Sequence, residues 1–389
     1  MSEAERSQAD QDHPGSAGGA SALPSGPSAP NSAMSSRVAS SGRSAFAPDE
    51  LAIVLSNFKT GILTEIREFA RGSRKAPKLR IKGVDGDYLL KRRAAGKDDP
   101  RKVAFCHSVQ IHLADRQFPL PHLIGTVDTN NSMLKHDGNT YELFEYIKGT
   151  GYDFSLDATG DAGQTLGLFH KLLLDFTSDY DAARGTYHRS KSVHRAMQAL
   201  PDTLQRTAPP DATADDFAWQ QKIGKFLADA YLDAAKRVED QGYADWPQQV
   251  VHSDWHPGNM LFRGSRVVAV IDYDTVRFAP RVLDTANGAL QFSIRGGGED
   301  PSQWPDDLDL TRYKRFLRGY DAVPDAMLTN AELRAVPWLM VEALIAESVI
   351  PVAATGFFSK MAGGKFLEMV VRKVQWLRKN ADPLIEAVA

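Results

Sequence analysis

The sequence predicts an α+β fold of two lobes, a small antiparallel β-sheet lobe followed by a larger, mainly helical lobe. Three observations carry the prediction. Short alternating segments separated by Gly- and Asp-containing turns crowd into residues 49–150. From Ala162 onward apolar residues recur at helical spacing. A strand–turn–strand segment, Val250 to Asp274, interrupts those helices.

Residues 1–48 are dominated by Ser, Ala, Gly and Pro and bury too little apolar surface to offset the entropy of ordering, so they read as a disordered tail. Asp49-Glu50 then opens a helix whose apolar positions are Leu51, Val54, Leu55 and Phe58. Ile66 to Phe69 reads as a first strand, Arg71 to Lys75 as a polar turn, and Lys78 to Lys82 as a second strand. Val84-Asp85-Gly86-Asp87 turns the chain into a return strand, Tyr88 to Lys91. A helix with Val103, Phe105, Val109, Ile111 and Leu113 follows and ends before Pro119 and Pro121. Thr140 to Ile147 is the last strand of this lobe, and Gly149 to Tyr152 leads into residues 151–389. There, Leu166, Phe169 and Leu173 mark one helix, Phe217 to Val238 another, and 306–380 are helical again.

Composition narrows the function. The 389 residues are 42% hydrophobic and 24% charged, enough for one large or two medium domains. Lys and Arg total 46 against 49 Asp and Glu, so the basic excess of a nucleic-acid binder is missing. A single cysteine, Cys106, excludes an internal disulfide and a cysteine-based zinc site. The N-terminus lacks the apolar core of a signal peptide. The most apolar run, Trp338 to Ala354, carries Glu342 and Glu347 and reads as a buried helix. A cytoplasmic protein that binds neither nucleic acid nor membrane is expected.

The chemistry concentrates between Val251 and Asp274. His252-Ser253-Asp254-Trp255-His256-Pro257-Gly258-Asn259 forms a polar loop that opens into an apolar strand, and the return strand delivers Asp272 and Asp274 beside it. Asn259 and Asp272 therefore meet across the open end of a hairpin. An amide and a carboxylate are hard oxygen ligands suited to Mg²⁺, while a second carboxylate five residues before the amide, Asp254, is placed to receive a hydroxyl proton. The spacing matches the kinase catalytic loop H-x-D-x-x-x-x-N.

This segment, with Pro280 to Asn287 after it, resembles the aminoglycoside phosphotransferase family, relatives of choline kinase, methylthioribose kinase and homoserine kinase, whose signature reads H-G-D-x-H-x-x-N, then [IV]-D-[WFY]-[DE], then P-x-x-D-[LT]-A. Ser253 stands where the family usually has glycine. The resemblance implies a two-lobed protein-kinase-like fold, with 49–150 as the nucleotide-binding lobe and 151–389 as the catalytic and substrate-binding lobe. It implies ATP and Mg²⁺ as cofactors and a small-molecule hydroxyl acceptor. Asp254 would be the catalytic base or orienter; Asn259, Asp272 and Asp274 would hold metal; His252, His256 and Asp284 would support the loop. In the small lobe it implies that Lys91 reaches the phosphates, Leu89 floors the adenine, and Glu145, Tyr146 and Ile147 form the hinge. Ser73 would belong to the loop over the phosphates. Arg92 or Arg93 replaces Lys91 if the register differs.

One departure stands out. The helix that usually supplies a glutamate for the lysine offers Cys106 or His107 instead. A catalytically weak or inactive kinase-like nucleotide-binding protein is therefore the alternative. His252, Asp254 and His256 also spell a zinc-like H-x-D-x-H, although no further histidine falls in ligand rhythm. Glu342 and Glu347 read either as an acidic acceptor pocket for a cation or as one face of a helix.

Overall fold

The computed structural model describes residues 44–69 and 75–388. The small lobe begins with helix α1 (Pro48–Ser56), followed by β1 (Leu63–Glu68), β2 (Lys78–Gly83) and β3 (Asp87–Arg92). Helix α2 (Pro100–Ala114), capped by the Asp99 side chain, leads to β4 (Leu123–Ile124), β5 (Leu134–His136) and β6 (Asn139–Glu145). The strands run in the order β1-β2-β3-β6-β4, with β5 also on β6, and every pairing is antiparallel. The first strand thus begins three residues earlier than the alternation at Ile66 indicated.

Side-chain alternation divides this sheet into two faces. Ile81, Tyr88, Leu90, Tyr141 and Leu143 pack with Val54, Leu55 and Phe58 around α1 into a separate small core. Arg92 faces the same way, bonding Glu50 Oε1 at 2.6 Å. It also reaches back to Ala45 O and lies over the Phe46 ring, within the stretch that composition marks as tail. The opposite face carries Lys78, Leu89, Lys91, Glu142 and Phe144, because directly opposed residues of antiparallel strands share a side.

The larger lobe comprises α3 (Leu156–Leu172), α4 (Lys191–Arg206), α5 (Ala214–Glu239), the short strand β7 (Gln249–Val251) and the hairpin β8 (Met260–Arg263) and β9 (Arg266–Val270). Strand β10 (Arg277–Ala279) pairs with β7, and α6 (Val282–Ser293), α7 (Leu310–Asp321) and α8 (Asn330–Thr355) follow. The chain closes with the two-residue strands β11 (Phe357–Phe358) and β12 (Met361–Ala362), then α9 (Gly363–Lys379) and α10 (Ala381–Glu386).

Helix α8 is long and apolar enough to cross a membrane by length and composition, but 78% of that stretch is buried within the fold. It is the central post of the large core, where α4, α5, α6 and α9 surround it. Helices α3 and α7 pack so tightly that a Cβ at Gly163 would strike the Phe316 carbonyl oxygen. The linker between lobes is tied down by two bonds of 2.8 Å between the backbones of Thr150 and Phe262.

Candidate active site

The loop after β7 is built from local chemistry. Asp284, buried near the start of α6, accepts from the backbone N–H of His252 at 2.5 Å and of Ser253 at 2.7 Å, with His170 Nε2 3.3 Å away. This lets Ser253 adopt φ 64°, the left-handed conformation in which glycine is favoured. His252 contributes through its backbone, since its carbonyl accepts from Thr275 Oγ1 at 2.8 Å. Its imidazole is fully buried among Phe169, Trp255 and Tyr273, with no hydrogen bond to either nitrogen among the described residues. Burial accordingly pushes its pKa below the ordinary value.

Asp254 stands at the end of this loop. Asn259 Nδ2 donates to its carbonyl at 3.0 Å and to its Oδ2 at 2.8 Å. His256 Nδ1 accepts the Gly258 N–H, so in a neutral ring the proton sits on Nε2, 3.5 Å from Asp254 Oδ1. Burial is the largest influence on Asp254 and raises its pKa, but His256, His252 and Asn259 outweigh it and hold the carboxyl at about 2. The side chain is an ionised acceptor at neutral pH.

Beyond β8 and β9, Ile271 N–H donates to the Asn259 carbonyl at 2.9 Å, which sets Asp272 next to Asn259 as the hairpin argument requires. Asp272 has φ 65°. Asp274 is turned elsewhere: its carboxylate takes Lys91 Nζ at 2.8 and 3.0 Å and Arg93 at 2.9 Å. The carboxylate to which the resemblance gave a metal contact thus forms an ion pair with the small lobe in this structure.

In the small lobe, Lys91 and Leu89 share the cleft face. Burial pulls the Lys91 ammonium down, yet Asp274 and Glu142 more than compensate and leave its pKa above the usual value. Arg93, two residues on, bridges Asp274 and Glu142, whereas Arg92 belongs to the α1 face. At the hinge, the N–H groups of Glu145 and Tyr146 are occupied by the carbonyls of His122 and Asp87, each at 2.9 Å. That removes both as donors to a base and leaves the N–H of Ile147. Ser73 and most of the polar turn around it lie outside the described residues.

Two side chains of this site, Lys78 and Glu142, have no signal in the local sequence. Lys78 lies opposite Lys91 across β2 and β3, and burial followed by Lys91 lowers its pKa. Glu142 lies opposite Lys91 on β6, and His107 Nε2 contacts it at 2.6 Å. Only strand register could have found Lys78 and Glu142, and register is not written in a motif.

A cleft of about 590 Å³ opens beside Asp254 and His256, with Gln291, Glu347, Phe357 and Phe358 on its walls. Gln291 donates to Glu347. Glu342 is not part of it; fully buried, it accepts from the His188 ring at 2.8 Å and the Arg189 N–H at 3.2 Å. The zinc-like reading finds no support in geometry, since among the described residues no group of three His, Cys, Asp or Glu side chains gathers to hold an ion.

A family model described as the phosphotransferase enzyme family matches residues 65–328. No curated protein matches the chain. Among solved structures, an aminoglycoside phosphotransferase from Alicyclobacillus acidocaldarius is similar, with a TM-score of 0.63 and 17% identity over 90% of this chain and 98% of its own. A microcompartment-associated aminopropanol kinase has a TM-score of 0.61 at 14% identity, covering 86% of this chain and 98% of its own. An amicoumacin kinase in complex with AMP-PNP and Ca²⁺ has a TM-score of 0.61 at 11% identity, covering 86% and 94%. At these identities the likeness establishes the two-lobed kinase-like fold.

Proposed function

The chain belongs to the phosphotransferase enzyme family, and from that premise we propose that it transfers the γ-phosphate of ATP, as the magnesium complex, to a hydroxyl group of a small cationic molecule. The observation that carries this reading is Asp254: an ionised carboxylate, bonded to Asn259, on the wall of a cleft of about 590 Å³. Phosphoryl transfer asks little covalent chemistry of the protein and much positioning. A carboxylate with pKa about 2 is a weak base. It would aim the acceptor hydroxyl at the phosphate and receive its proton late.

The residues present fit a hard divalent cation. Asn259 spends its N–H on Asp254, which turns its amide oxygen away, and Asp272 adjoins it across the hairpin. The two form an all-oxygen pair of low ligand count. When bound, the ion would neutralise charge on the phosphates. Lys91 would meet the same phosphates from the small lobe, Leu89 would lie under the adenine, and the Ile147 N–H would face its edge. The amicoumacin kinase of similar fold, whose complex contains AMP-PNP and Ca²⁺, supports a nucleotide and a divalent ion as ligands. The inactive alternative rests on the helix without a glutamate and on the weak match of the loop over the phosphates, and Glu142 beside Lys91 supports the active reading against the first of these.

The acceptor's charge follows from the cleft walls. Asp254 and Glu347 supply two carboxylates, and among the described residues lining the cleft none is Lys or Arg. Two phenyl rings complete a wall suited to an ammonium group. An amino alcohol or amino sugar is the acceptor class, and a cytoplasmic setting is consistent with both substrates. Acceptor-dependent ADP release, measured across amino alcohols and neutral polyols of equal size, tests the proposal. Cationic acceptors are expected to react, and Glu347→Gln to raise their KM about tenfold, equivalent to ~1.4 kcal/mol. A preference for neutral polyols would reject the charge assignment, and ADP release indifferent to every acceptor would reject the transfer itself.

A further inference from the structure

Helix α2 presents no carboxylate to Lys91, and His107, standing where one is expected, reaches instead for a carboxylate on the sheet. That carboxylate is Glu142, fully buried and opposite Lys91 in the β3–β6 register. Its two oxygens are used unequally. Oε1 accepts from Arg93 at 2.8 Å and lies 2.6 Å from His107 Nε2. Oε2 has no hydrogen-bond partner among the described residues, and Lys91 Nζ lies 3.8 Å from it. Leaving a buried carboxylate oxygen unpaired is costly, so an approach of the ammonium by less than an ångström is favoured.

The His107 ring is held in turn. With Nε2–H donating to Glu142, Nδ1 of a neutral ring accepts the Ser132 hydroxyl, 2.7 Å away. The other carboxylate on Lys91, Asp274, belongs to the large lobe, whereas Glu142 shares a sheet with Lys91, so its distance is set by strand register and not by how the two lobes meet. We infer that Glu142 is the residue that positions Lys91 for the nucleotide's phosphates, with His107 steering the carboxylate, so that strand β6 and helix α2 jointly replace a single helix glutamate. This inference rests on the function proposed above.

The test is calorimetric titration of the full chain with ATP in excess Mg²⁺, on the wild type, Glu142→Gln, Lys91→Met and the double variant. Glu142→Gln is expected to weaken ATP binding about tenfold, and to add less than about threefold once Lys91 is already Met, since no ammonium remains to be aimed. Equal losses in both backgrounds would mean a merely structural residue and overturn the inference, as would wild-type affinity in Glu142→Gln. Because that change leaves Arg93 buried against a neutral amide, a milder pair keeps the test open if it fails to fold. His107→Leu is expected to weaken ATP binding at least threefold and His107→Gln, which retains a donor, to restore it; no difference between them rejects the steering role. Absence of ATP binding in the wild type would instead bring down the proposed function itself.

Discussion

On the proposed function, replacing Asp254 by Asn isolates the chemical step, because Asp254 lines the cleft of the large lobe while Lys91, proposed for the phosphates, stands on the small-lobe sheet. Asn at 254 keeps the side-chain shape and an oxygen that accepts from Asn259 Nδ2, now 2.8 Å away. What is lost is the negative charge that His256 and His252 stabilise. The carboxyl lies at about 2 against an ordinary 3.8, but the side chain is 38% exposed. Solvent screening limits the stability cost at neutral pH to about 1 kcal/mol or less. A folded-state pKa below the unfolded one gives stability that is present above about pH 4 and disappears as the pH falls toward 2. For turnover, positioned proton acceptors contribute about 10²–10⁴-fold, roughly 3–5 kcal/mol. A base this weak belongs at the lower end, about 10²–10³-fold. The assay is steady-state ADP release with a reactive amino alcohol, alongside calorimetric ATP binding, for wild type and Asp254→Asn between pH 5 and 8. ATP affinity is expected within about threefold of wild type, kcat down by at least about a hundredfold, and no wild-type inflection in that pH range that vanishes in the variant. Retention of more than half the wild-type kcat would refute the role, and an Asp254-dependent inflection near pH 6 would refute the ionised-acceptor argument.

Two further predictions concern the frame around the site. Ser253→Gly relieves a left-handed residue at φ 64°, so thermal melting should rise by the equivalent of up to ~1 kcal/mol, while a β-branched residue there should lower it. Gly163→Ala pushes a methyl group into the Phe316 backbone between α3 and α7, and chemical denaturation should reveal a loss of about 1–3 kcal/mol, with ATP affinity unchanged below the melting range.

The site divides by the distance along the chain over which its parts are assembled. Asp254, Asn259 and Asp272 lie within one loop and hairpin, where a backbone bond from Ile271 to Asn259 and side-chain bonds from Asn259 Nδ2 to Asp254 leave few alternatives. Their proximity was therefore legible from spacing, whereas Asp284's support of the loop was an expectation only of the family resemblance. The hinge shows where such reading loses resolution. A strand can be located without knowing which of its N–H groups neighbouring carbonyls occupy, and here Glu145 and Tyr146 were already engaged.

By itself the sequence determined the order of sheet lobe and helical lobe, the phosphotransferase loop, and the absence of a carboxylate on helix α2. Only the tertiary structure decided that Glu142 stands opposite Lys91, that Asp274 meets Lys91 across 183 residues, and that Glu347 rather than Glu342 lines the cleft beside Asp254. The physical reason is that local spacing constrains residues joined by a few backbone bonds. Contacts across strands and lobes depend on register and on the packing of whole elements, where a shift of one residue exchanges a buried face for the cleft.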